Sequence, residues 1–197
     1  MMHPKSFKKL VIDNAVGILW SQWVNLGAWS RAEQTMKCFS DPESAITFSS
    51  YFCKHEKRLQ KISLDWSIVN LKYINHSRLK RLRKVVTDHI ELPIDVSEVY
   101  AGTTSSKYIT EPDARDITNL LIRLRLVFGS TTRAEVIFHL LTRGSANSNQ
   151  IATHHFLNQK AVLLELEKLA KAGVLEEKRS ARERLFSVQR DFARLFE

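Results

Sequence analysis

The segment from Gly144 to Val188 leaves its backbone few options, because it is punctuated at short intervals. Ser148 stands where it can cap a helix over NQIATHH, Phe156 and Leu157 interrupt it, and Asn158 can cap a second helix, QKAVLLELEKLAKA. Val162, Leu166 and Leu169 fall on one face of that second helix, and Gly173 supplies a left-handed stop. VLEEKR and ERLFSV then alternate in character around the small basic turn SAR, the pattern of two short paired strands. Upstream, Thr132 to Glu135 reads TRAE, a capping box for a helix whose Val136, Ile137, Leu140 and Leu141 point inward and which stops at Gly144. Three short helices and a hairpin, so joined, bury their apolar faces by packing on one another.

The N-terminal half reads as helices. Residues 6–26 carry Leu10, Val11, Ile18, Leu19, Trp20, Trp23 and Val24 on more than one face, which predicts a buried helix. SDPES marks a helix start with Ser40 or Asp41 as cap and Pro42 in the first turn. Further helices are expected over about 42–54, 56–70 and 77–89, with NHS as the break before the last. From Glu91 to Glu111 the helical period fails around Pro93, Gly102 and a Thr/Ser cluster, so this is a linker with a short strand near Val96 to Tyr100. A helix then runs from Pro112 to Phe128 and stops at Gly129. It has two apolar stripes: Ile117, Leu120, Leu121, Leu124 and Phe128 on one side, Ile122 and Leu126 on the other. Such a helix must be covered twice, by joining two halves of the chain or by pairing with a second copy.

The order of helices and hairpin over about 130–190 resembles the winged helix-turn-helix domains of bacterial MarR- and ArsR-type transcriptional regulators. The resemblance rests on QIA, QKAV, the spacing of Leu166, Leu169 and Gly173, and the arginine-rich hairpin. LRLVFGSTTRAEVIFHLLT and the DPESAITF region also look like parts of a group of bacterial winged-helix proteins with a helical N-terminal domain. Some members of that group are associated with nucleotidyltransferases of toxin–antitoxin type. The fold class implied is mainly α: an N-terminal helical domain over 1–90, a linker over 91–111, a bridging or dimerisation helix over 112–129, and over 130–197 a winged helix-turn-helix with a small β-hairpin wing.

In that geometry Asn158, Gln159 and Lys160 stand nearest the base edges of a major groove. Ser148 and Asn149 offer a helix N-terminus to phosphate, and Arg179, Arg182 and Arg184 on the wing grip the adjacent backbone. Four residues depart from the pattern: Leu163 and Leu164 replace polar residues, and Glu165 and Glu167 oppose phosphate. Phe156 is a fifth, at a turn where glycine is frequent.

With 30 basic and 21 acidic residues the net charge is +9, which favours polyanionic partners without choosing among them. Most of the surplus lies within residues 1–90. A second basic surface is expected on SRLKRLRKVV, where Arg78, Lys80, Arg81, Arg83 and Lys84 stand against an apolar face of Leu79, Leu82 and Val86. Trp20, Trp23, Trp29 and Trp66 read as core, and the two cysteines, Cys38 and Cys53, as free thiols. KHEKRLQ begins like a zinc-protease motif but has Leu59 where the second histidine is required. His154 and His155 are adjacent and on a helix should diverge, so no metal ligand set, cofactor or catalytic constellation is expected.

The chain carries no apolar run of roughly 18–20 residues, and Asp13 and Asn14 break the N-terminal apolar stretch, so a cytoplasmic protein without membrane contact is expected. The expected function is sequence-specific binding of double-stranded DNA as a homodimeric bacterial transcriptional regulator, one that can act on its own operon. The alternative is a protein–protein adaptor or antitoxin-like protein that uses the scaffold, through Leu163 and Leu164, to hold a co-encoded partner.

Overall fold

The computed structural model describes residues 4–29, 37–88, 107–180 and 183–196. Among them the chain is mainly helical, with one two-stranded antiparallel sheet. Helix α1 spans Pro4–Asn25, α2 Pro42–Phe52, α3 Arg58–Val69 and α4 His76–Thr87, with a 3-10 turn at Leu71–Tyr73. The caps are local and chemical. The Asp41 carboxylate accepts from the Ser44 N–H at 3.1 Å with Pro42 following, and Asn75 accepts from the Arg78 N–H at 3.1 Å to open α4.

A first core gathers Trp23, Leu26, Ile46, Leu59, Trp66 and Ile122. Each central indole N–H finds an acceptor, Ser49 Oγ at 2.8 Å for Trp23 and the Leu26 carbonyl at 2.7 Å for Trp66. Two expectations need correcting here. Only the C-terminal half of α1 is buried, since Phe7, Leu10 and Val11 stay exposed; and Trp29 is 79% exposed rather than core. The chain leaves α1 through Gly27 at φ 88, where an added Cβ would come within 2.8 Å of the Thr110 carbonyl oxygen. Ala28 pairs with Ile109, so residues 107–111 are tied to the end of α1. The rest of the expected linker, including the strand near Val96 to Tyr100, lies outside the described residues.

The helix expected from Pro112 is shorter. Asp113 accepts from the Arg115 N–H and Asp116 from the Thr118 N–H, local bonds that compete with a helical first turn. A 3-10 turn at Ile117–Asn119 therefore leads into α5, Leu120–Phe128, which ends at Gly129. Ile122 belongs to the first core, while Leu120 and Leu124 belong to a second, so each apolar stripe of α5 is covered in part within one chain. Leu121, the natural anchor for a dimer seam on this helix, is 1% exposed and unavailable to another copy. Ile117, Leu126 and Val127 remain exposed.

The second core is built by α6 (Thr132–Arg143), α7 (Ser148–His155), α8 (Gln159–Lys171), β1 (Leu175–Ser180) and β2 (Glu183–Val188). A short α9, Arg190–Ala193, brings Phe192 and then Phe196 against Phe128. Val136, Ile137, Leu140, Ile151, Val162, Leu166, Leu169 and Phe186 fill its centre. The strands pair from Leu175 opposite Val188 to Ser180 opposite Glu183, and Ala146 forms a bridge to Phe186 that fastens the segment before α7 to the sheet. Gly173 takes φ 74, the left-handed stop expected after α8. Two caps differ from expectation. Asn147, not Ser148, caps α7, in a reciprocal box with Gln150. The TRAE box does not form: Thr131 holds the cap position without a side-chain bond, and Glu135 turns inward.

Glu135 turns inward because a guanidinium is there. Arg125 of α5 donates to Glu135, to both oxygens of Glu43 and to the Tyr73 carbonyl, and all three charged side chains are buried. Arg78 of α4 completes the network, binding Glu43 at 2.6 Å, Asp41 at 2.7 and 2.6 Å, and the His155 carbonyl at 2.9 Å. Burial alone would raise the Asp41 carboxyl, but the Arg78 charge and hydrogen bonds outweigh it and hold it well below the usual carboxylate range. The network joins α2, α4, α5 and α6 to the end of α7. Arg78 therefore has no place on the basic surface expected of α4.

Candidate functional site

The start of α8, the start of α7 and the hairpin are the elements on which the candidate residues stand. Asn158 accepts from the Ala161 N–H at 3.0 Å, so its amide oxygen is already committed as the cap. Gln159 and Lys160 follow in the first turn and are exposed. Ser148 is half-buried in the first position of α7, and Asn149 beside it is exposed. The Asn147 amide approaches Glu183 at 3.5 Å, which sets the outer end of the hairpin beside the start of α7. Arg182 lies outside the described residues.

The other two hairpin arginines are engaged within the chain. Arg179 donates to Glu177 at 2.7 Å, and Arg184 donates to Glu177 at 2.9 Å and to Glu167 at 2.7 Å. Hydrogen bonds from Arg184 and Arg179 bring the Glu177 carboxyl down to about 2. A phosphate reaching Arg184 must displace two carboxylates. On α8, Glu165 is likewise satisfied, by Arg133 at 3.0 Å and Lys168 at 2.8 Å. Leu163 is half-buried, whereas Leu164 is 48% exposed and lines a groove with Phe128, Thr131, Ala161 and Lys168. The two leucines thus part company, and only Leu164 offers an apolar contact to a ligand.

On α4, Lys80, Arg81 and Lys84 are exposed and Arg83 is half-buried, opposite buried Leu79 and Leu82. That leaves a smaller basic face than the sequence suggested. Arg78 could have been suspected from the sequence, because it lies four residues before Leu82 and so on the inward face.

Phe156, between α7 and α8, adopts φ 55 and ψ 42. The turn does demand the left-handed conformation, and here a phenylalanine bears it at a cost of roughly 1–2 kcal/mol. His155, just before it, and its chain neighbour His154 meet a third histidine, His139, that the sequence did not bring to them. His139 of α6 lies with its Nδ1 3.1 Å from His155 Nε2, and one ligating nitrogen from each of His139, His154 and His155 falls within 4.8 Å of the others. The expectation that adjacent histidines diverge fails because these rings, 4.9 Å apart and nearly perpendicular, both turn towards α6. Burial, with Arg78 and the other histidines adding to it, pushes the His155 imidazole down to about 2. Burial, His154 and Arg143 bring His139 down to about 4, and His154 is lowered too, chiefly by burial.

No protein-family model, curated protein or solved structure matches this chain, so the site's chemistry rests on its own geometry.

The double duty of Asn158 is open to test. Asn158→Ala is expected to lower stability by about 1 kcal/mol, the cost of a lost N-cap, in urea unfolding. Asn158→Asp keeps the cap and should leave stability unchanged. If α8 approaches a phosphate backbone, the same aspartate should weaken nucleic-acid binding severalfold, a separation of effects that a purely structural Asn158 would not produce.

Proposed function

We propose that this chain is a sequence-specific DNA-binding protein, with residues 130–197 acting as a winged helix-turn-helix in a bacterial transcriptional regulator. The observation that carries the reading is the start of α8. A helix capped by Asn158 presents Gln159 and Lys160 to solvent, following a short α7 and preceding an antiparallel hairpin whose end lies beside the α7 N-terminus. An amide and an ammonium at the exposed start of a helix suit base-edge and phosphate acceptors, and the net charge of +9 adds non-specific attraction. On this reading the exposed Lys80, Arg81 and Lys84 of α4 supply a further phosphate-facing surface. The protein works in the cytoplasm and meets paired half-sites as a homodimer, through a surface other than Leu121.

The test is binding to the DNA upstream of its own gene, set against random duplex over a salt series. Specific binding should exceed non-specific by roughly a thousandfold or more. Gln159→Ala should cost about 1–3 kcal/mol on the cognate site and little elsewhere. Lys160→Ala should weaken binding on all sequences and lower the salt slope by about one unit. Equal affinity for every duplex, insensitive to Gln159, would remove the regulator reading.

A second reading has its own observation. Leu164 is exposed in a groove beside Phe128, and Arg184 is already neutralised by Glu167 and Glu177. An adaptor that docks a co-encoded protein through this groove would lose its partner on Leu164→Ser while its DNA affinity stayed the same.

A further inference from the structure

We propose that His139, His154 and His155 form a binding site for one zinc-like divalent transition-metal ion, with a fourth position open to solvent. This assignment does not depend on the DNA reading.

The geometry fits the ion. Zinc bound to imidazole at about 2.0–2.1 Å in a tetrahedron places neighbouring nitrogens roughly 3.4 Å apart. Here His139 Nδ1 and His155 Nε2 are 3.1 Å apart, and the third nitrogen lies within 4.8 Å of both, so small side-chain rotations complete the set. Two of the ligands are fixed and one is free to adjust. His139 and His155 are 5% and 4% exposed, on packed helices α6 and α7, while His154 is on the surface. A hydrogen-bonded pair of buried rings accounts for His139 and His155, but not for a third ring turned towards them from outside.

The chemistry is consistent with the geometry. At a 3.1 Å separation one of the two nitrogens carries the shared proton and the other accepts it. Metal binding requires both lone pairs, so that proton moves to the far nitrogen of its own ring and the ring stays neutral. Because burial holds all three rings below their ordinary range, no proton need be expelled to solution near pH 7. Three imidazoles without a thiolate favour zinc, nickel, copper or cobalt over magnesium or calcium. The opposing influence is positive charge: Arg143 and Arg78 act on the histidines, and Asp41 offsets them at His154 and His155. Open pockets flank His154 on two sides, one reaching Asp41 and Thr142, the other Asn149 and Gln150, so water or a small anion can take the fourth position. A site with three protein ligands keeps a position open to water or a ligand, where a closed four-ligand site does not.

Binding would also clamp the end of α7 to α6. Arg78 already holds the His155 carbonyl there, immediately before the left-handed Phe156 and the turn into α8.

The experiment titrates untagged full-length protein, stripped with chelator, with Co²⁺ and then Zn²⁺. One equivalent of cobalt should give the intense visible bands of a tetrahedral site, and zinc should abolish them. Zinc should also raise the melting temperature. His154→Ala changes an exposed residue, so its fold should survive; it should lose the visible bands and weaken zinc binding at least tenfold. His139→Gln should do the same, with near-ultraviolet circular dichroism reporting that packing is retained. Absence of tetrahedral bands and of any melting shift at stoichiometric metal would overturn the proposal. So would binding of unchanged affinity in His154→Ala, which would place the ion elsewhere, at His55 or His76 for instance.

Discussion

Replacing Glu43 by glutamine is expected to destabilise the protein by about 3–5 kcal/mol, the usual consequence of removing one partner from a buried ion pair. Glu43 is wholly buried and bridges two guanidiniums. Its Oε1 accepts from Arg125 and from the Asn75 N–H, and its Oε2 from Arg78 and Arg125. Glutamine has the same shape but must present an amino group to donors on one of those sides. That leaves a guanidinium N–H unpaired as well as under-compensated. Urea unfolding followed by the fluorescence of the buried Trp23 and Trp66 measures the loss. A change below about 1 kcal/mol would mean that Asp41 and Glu135 alone satisfy both arginines. Replacing the whole network by apolar residues of matched volume should cost far less, because no charge would then be left stranded.

The network also limits what the net charge can do. Arg78 and Arg125 are spent inside the protein, and Arg184 is held by Glu167 and Glu177. The cations placed to meet a polyanion are fewer than the composition suggests. Among the described residues, Lys160 at the start of α8 and Lys80, Arg81 and Lys84 on α4 are exposed at the candidate surfaces, as is Arg179 on the hairpin, which is paired with Glu177.

Features encoded by neighbouring residues were legible in the sequence. The cap before Pro42, which Asp41 rather than Ser40 supplies, the NHS break before α4, Asn158 before α8 and the glycine stops all act within a few positions, and the apolar faces of α6 and α8 follow directly from periodicity. Competition between local signals was harder to read. Asn147 and Ser148 are both good caps, and Gln150 three residues after Asn147 decided between them by returning a hydrogen bond. The Asx turns at Asp113 and Asp116 delayed a helix that its apolar spacing alone would start at Pro112. What depends on distant partners left little local trace, the inward register of Arg78 four residues before Leu82 being the one hint. Glu135 reads as the end of a capping box until Arg125 and Asn75 are placed beside it, and Arg78 reads as a surface cation until Asp41 and Glu43 are. His139 is a lone histidine in an apolar helix, and nothing within ten residues announces that α7 will bring two more to it.

Those histidines give the second large effect, a loss of stability beginning at unusually mild acidity. In the unfolded chain each imidazole takes up a proton near pH 6.5. In the folded protein burial holds His139 down to about 4 and His155 down to about 2, so across this window the unfolded state binds the more protons. Stability is therefore full above pH 6.5 and falls as the pH drops from there towards 4, by an amount on the order of a few kcal/mol. Arg143 and Arg78 strengthen the effect by repelling a charged imidazole, while Asp41 opposes it at His154 and His155. Asp41 stabilises the fold throughout this window and adds to the pH dependence only at lower pH: its carboxyl is held low by Arg78, so its stabilisation is lost as pH falls below the ordinary carboxylate range. The two effects separate by variant. Urea unfolding in chelator at pH 7.5, 6, 5 and 4.5 should show a decline that is shallower in His139→Gln, whereas Asp41→Asn should lower stability at every one of these pH values. A wild-type stability that stayed level from pH 7 to pH 5 would mean that the buried rings accept protons as readily as free histidine, through a local opening of α7 away from α6.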